Sequence, residues 1–180
     1  MKKNIQICLG SLFLVLGSIF TACGPEARLD MVGMFAGTSP KIDERFEESK
    51  VYNDQHGFTT LQAPVDDYRV YVCTDTHVTK TQTRWTYFID TYRQDPLCPV
   101  AVHLGDIIDA QNYFDEMYSA YQAVPLNPAK KDTLMAVAGN HDIYFKQWPE
   151  YIKYFKTCYY YFIVETPSGK KDLFVVYDSA

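Results

Sequence analysis

The chain has 180 residues, with 17 Lys and Arg against 22 Asp and Glu, and a formal charge of −5 at pH 7. No Lys or Arg cluster exceeds a pair, so the basic footprint that holds a phosphate backbone is missing and nucleic acid is not an expected partner. An apolar content of 47% agrees with one globular domain.

The amino terminus opens on Lys2 and Lys3, continues through an apolar stretch from Ile5 to Phe20 broken by Gln6 and small residues, and reaches Thr21-Ala22-Cys23-Gly24 at once. This order resembles a bacterial lipoprotein signal. It implies cleavage after residue 22, lipidation of Cys23, and a mature chain anchored to the membrane of the bacterial cell envelope, periplasmic or at the cell surface. The rival reading is an uncleaved anchor, but an apolar stretch of about 16 residues falls short of the roughly 20 needed to cross a bilayer. Loss of Lys2 and Lys3 would take the charge from −5 to −7. Of five cysteines, Cys73, Cys98 and Cys158 then remain, an odd number with no pairing written in its spacing. Burial as small apolar side chains is expected for all three.

Residues 23–66 read as a tether and lead-in. Ser39-Pro40 can start a helix, with Ser39 as the cap, and Ile42, Phe46 and Val51 would give it one apolar face. His56 falls in a polar stretch that reads as a surface loop. Residues 67–180 then alternate strand and helix. Apolar runs at Tyr68–Thr74, Val100–Leu104 and Leu134–Ala138 predict three strands. Between them, Trp85, Phe88, Ile89 and Tyr92, then Tyr113, Met117 and Tyr121, recur at helical spacing. That is the order of a right-handed parallel βαβ arrangement. A short helix over 150–156 and two β-rich runs, 159–165 and 172–178, around Pro167-Ser168-Gly169 predict a terminal hairpin.

Each of the three strands ends in a short string of ligand chemistry: Asp75-Thr76-His77, Gly105-Asp106, and Gly139-Asn140-His141-Asp142. Parallel strands would gather these at one carboxyl edge, where open α/β sheets bind their ligands. Carboxylates, imidazoles and an amide oxygen suit hard-to-borderline divalent ions. Any one string is weak alone. Together and in this order they resemble the calcineurin-like metallophosphoesterase family, over roughly Tyr68 to Ala180.

The resemblance implies an α/β chain forming the N-terminal part of a four-layered α/β/β/α sandwich. It also implies two divalent metal ions (Mn, Fe or Zn), about 3.5–4 Å apart in two-metal phosphoesterases, acting on a phosphate-ester substrate. Asp75, His77 and Asp106 would bind the first ion, and Asp106 and Asn140 the second. His141 would be the catalytic acid, with Asp142 orienting its ring. The family's later histidines are not found here: of four histidines, only His56 and His103 are unassigned, and His103 reads as a strand residue. The sequence therefore predicts an incomplete sandwich, a weak second position and an impaired phosphoesterase, as a chain truncated at its C-terminus would be. The alternative is a non-catalytic anchored lipoprotein that uses its half-sheet as a binding or structural module. Asp109 stands where purple acid phosphatases carry a metal-binding tyrosine, and Ala110 and Ala138 where protein serine/threonine phosphatases carry arginines. Neither subfamily fits.

Overall fold

A computed structural model describes residues 39–109, 112–144 and 146–178. The signal sequence, Cys23 and the first part of the lead-in lie outside them. Among the described residues, no helix is long and apolar enough to cross a membrane.

Three short parallel strands form the first sheet: β2 (Val70–Cys73), β3 (Val100–His103) and β4 (Leu134–Ala136), in that spatial order. β3 is central and buried along its whole length, and its alternation divides the core. Ala101 packs toward the helices, while Val100 and Val102 join an apolar layer with Phe162, Val164 and Val176 of the second sheet. Helix α2 (Thr83–Gln94) lies on the first face and buries Trp85, Phe88, Ile89 and Tyr92, the four residues its periodicity singled out. Helix α3 (Phe114–Ala123) adds Phe114 and Met117. α5 (Trp148–Phe155) adds Trp148 and Tyr151, with Pro149 in its first turn.

The expected hairpin is β5 (Tyr160–Glu165) and β6 (Lys171–Val176), antiparallel, with the rings of the directly opposed Phe162 and Phe174 stacked at 4.7 Å. A further strand was not foreseen. β1 (Thr59–Gln62) pairs in parallel with β5 and completes a second sheet of order β1-β5-β6. Helices, first sheet and second sheet are the layers of an incomplete α/β/β/α arrangement.

The lead-in helix α1 (Ile42–His56) starts two residues later than expected, with Lys41 rather than Ser39 at the cap position. Its expected apolar face is corrected. Ile42, Phe46 and Val51 are all more than two-fifths exposed, and the buried residues are Arg45 and Ser49. Charge explains the difference, because Arg45 Nε donates to Asp178 Oδ2 at 2.5 Å and Trp148 Nε1 donates to Glu48 at 2.7 Å. His56 is the last residue of this helix rather than part of a loop, exposed and stacked on Tyr52. Cys98 and Cys158 are buried, Cys73 is half-buried, and all three are free thiols.

Candidate metal centre

The three strings leave the first sheet at one edge and are stitched together there by backbone. Asp75 N–H donates to Gly105 O and His77 N–H to Asp106 O, both at 3.1 Å, and Val78 N–H to Ile107 O at 2.8 Å. To turn at this edge, Asp75, His77 and Asp106 all adopt left-handed backbone, with φ of 54°, 43° and 53°. Three non-glycine residues so placed store strain that the surrounding fold must hold, as happens at ligand-binding sites.

Glycine permits the close approach of the second and third strings. Gly105 has φ +101°, and a β-carbon there would lie 2.8 Å from Gly139 N. A β-carbon on Gly139 would in turn fall 2.3 Å from Asp106 N. His141 N–H then donates to Asp106 Oδ1 at 3.1 Å, fixing that carboxylate from the start of the short helix α4 (Asn140–Ile143). Burial pushes the Asp106 carboxyl above the ordinary carboxylate range, and this N–H opposes the shift.

Two groups of donor atoms result, each with all its atoms within 4.8 Å of one another. One is Asp75, His77 and Asp106, as the sequence predicts; the other is His77, Asp109 and His141. The His77 and His141 rings meet edge to face at 4.7 Å. A divalent cation fits the first group on the chemistry of its donors, two carboxylates and an imidazole whose Nε2 stands 3.5 Å from Asp75 Oδ1. Asn140 is half-buried at the first residue of α4, beside His141.

The carboxylate facing His141 is not the one expected. Asp142 is fully buried and points away into the loop after β3. Its Oδ1 accepts from Ile107 N–H at 2.9 Å and Ile108 N–H at 3.1 Å, and its Oδ2 from Gly139 N–H at 2.9 Å. It buttresses the turn that carries Asp106, and burial pushes its carboxyl up to about 7. Asp109 takes the expected place, with its Oδ1 3.6 Å from His141 Nδ1. Its position three residues after Asp106 was the available signal, and its N–H donates to Val78 O at 3.0 Å, beside His77 of the first string.

A crystal structure of a protein of unknown function from Aquifex aeolicus is similar at 22% identity with a TM-score of 0.33, covering 64% of this chain. The chain spans 59% of that protein's length. No curated protein matches. The profile of the calcineurin-like phosphoesterase family matches residues 68–179, which include all three ligand strings and both sheets' principal strands, and the chain belongs to that family.

Proposed function

We propose that this chain hydrolyses a phosphate ester with two divalent cations, manganese, iron or zinc. Asp75, His77 and Asp106 would hold one, and Asp106 with Asn140 the other. The observation that carries the reading is the convergence of Asp75, His77 and Asp106 donor atoms within 4.8 Å at one sheet edge, on backbone strained into place. Bound cations supply Lewis acidity toward a phosphoryl oxygen and acidify a water near neutral pH.

The residues of the chain do the rest. Asp106 is held by the His141 N–H in the orientation that faces Asp75 and His77. The nearly buried His141 imidazole donates a proton to the leaving oxygen, and Asp109 at 3.6 Å from its Nδ1 orients the ring. Asp142 acts on this chemistry by fixing the Asp106 turn.

Hydrolysis of 4-nitrophenyl phosphate with added Mn²⁺ tests the reading. Turnover that EDTA removes and Asp106→Asn lowers at least 100-fold supports it. A purified chain that neither binds Mn²⁺ nor turns over overturns it.

A non-catalytic binding module draws on a different observation, the outer face of β6 and its extension, where Leu173, Val175 and Tyr177 are each about two-thirds exposed. Mn²⁺ raises the melting temperature of a metal enzyme and leaves such a module indifferent. We further propose anchorage in the bacterial cell envelope through Cys23, supported by residues 2–24 of the sequence. Incorporation of labelled palmitate, lost in Cys23→Ala, tests it.

A further inference from the structure

His103 is the one fully buried histidine of the described residues, and the phosphoesterase chemistry above does not use it. It lies on the helix side of β3, against the rings of Trp85 at 5.8 Å and Phe88 at 6.3 Å. Its two ring nitrogens are both engaged. Gly105 N–H donates to Nδ1 at 3.2 Å, so Nδ1 carries no proton. The neutral ring must then carry its proton on Nε2, which stands 2.9 Å from Thr76 Oγ1. The Thr76 hydroxyl passes the chain on, donating to Ile107 O at 2.9 Å. Burial keeps the imidazole neutral, holding it far below the usual histidine range, at about 3.

We propose that His103 and Thr76 form a positioning relay that fixes the Asp75–His77 turn against Asp106, and thereby sets the affinity of the metal centre. The inference rests on the phosphoesterase reading above. Its basis is where the relay attaches. Thr76 stands between the two ligands Asp75 and His77, while Gly105 and Ile107 flank Asp106 on either side. One imidazole and one hydroxyl therefore touch both ligand-bearing turns from beneath, at the points where the ligands leave the backbone. All three ligands hold left-handed backbone, which relaxes once the turns are free to drift. Neither His103 nor Thr76 is a ligand, and each acts through the others' placement.

The test is Mn²⁺ affinity by calorimetry on the full chain, alongside the visible spectrum of bound Co²⁺, which reports ligand geometry. Thr76→Val keeps the side-chain volume and removes the hydroxyl. His103→Asn keeps an acceptor for Gly105 and removes the donor to Thr76. Each is expected to weaken Mn²⁺ about tenfold and to alter the Co²⁺ spectrum. The double variant is expected to be no weaker than either single one, since both cut the same chain. Thr76→Ser, which restores the hydroxyl, and His103→Gln, whose amide can reach Thr76, are expected to stay within about threefold of the parent. Variants that keep parental affinity and spectrum overturn the relay while leaving the metal centre standing. A parent chain that binds no Mn²⁺ overturns the centre and the relay together. Losses that Thr76→Ser fails to rescue assign the effect to packing and overturn the relay.

Discussion

A β-carbon placed on Gly139 would stand 2.1 Å from Asp106 Oδ1, so the third ligand string is seated directly on the carboxylate of the second. Gly139→Ala must push Asp106 aside. The expected cost is about 1–3 kcal/mol of stability from overpacking, with a loss of Mn²⁺ affinity of tenfold or more. Gly169→Ala is the control, because its φ of +84° is strained for alanine but nothing lies within 4 Å of the added carbon. It should lower the melting temperature and leave Mn²⁺ binding unchanged. Equal affinities in the two variants, by calorimetric titration, would contradict this account of the edge.

Arg45 and Asp178 make a second long-range connection, an ion pair with side chains 4% and 0% exposed that ties α1 to the segment just after β6. Arg45 Nη1 also donates to Pro40 O at 2.6 Å, and Cys158 Sγ lies 3.7 Å from Asp178 Oδ2. Replacing Arg45 takes away the guanidinium nitrogen that stands 2.5 Å from a buried carboxylate oxygen. Arg45→Met is therefore expected to destabilise by about 3–5 kcal/mol in urea unfolding. Adding Asp178→Leu to it should recover much of the loss, since the buried carboxylate that Arg45 faced is then removed as well. A double variant as unstable as the sum of the singles would show that the pair is not coupled.

That ion pair also shows where the sequence stops being readable. The α2 face was legible because Trp85, Phe88, Ile89 and Tyr92 carry their own periodicity, and the gathering of the three strings at one edge was legible because each closes an apolar run. α1 misleads because what buries it is a charge whose partner is 133 residues away, so Ile42, Phe46 and Val51 stay about half exposed, Phe46 with its ring against Tyr159. β1 was invisible for a related reason. Its Thr-Thr-Leu-Gln run is exposed at three of four positions and is a strand only because β5 offers it a parallel edge about a hundred residues later. Asp142 follows His141 directly, yet the helical turn of α4 sends the two side chains to opposite tasks, one to the site and one beneath Asp106.

The two buried groups beneath the site impose opposite pH dependences on the metal-free fold. His103 is held at about 3 against an ordinary 6.5, so between these values the unfolded chain binds the extra proton. Its contribution is complete above about 6.5 and is lost as pH falls toward 3. Asp142 is pushed up to about 7 from 3.8, so the folded chain binds the extra proton there. Its contribution is complete below 3.8 and is lost as pH rises through 7. Urea unfolding in EDTA at pH 4.5 and 7 should show the deficit of His103→Gln widening as pH rises and that of Asp142→Asn narrowing. Deficits that move in the same direction would mean that one of these protonation states is misassigned.

His141 offers the sharpest division between two roles, because its ring faces both Asp109 and His77. As a proton donor it matters most where the leaving oxygen is most basic. His141→Asn is therefore expected to lower turnover of an alkyl phosphate by about 10²–10⁴, and of 4-nitrophenyl phosphate, whose leaving group needs little help, by much less. Mn²⁺ affinity should stay within a few-fold of the parent. Asp109→Asn, which leaves the imidazole in place but removes the carboxylate 3.6 Å from Nδ1, should follow the same pattern at smaller amplitude. As a ligand, by contrast, His141 belongs to the group it forms with His77 and Asp109, and its loss would weaken Mn²⁺ and slow both substrates alike. The ratio of the two rate losses, read beside the metal affinity, decides which role the ring plays.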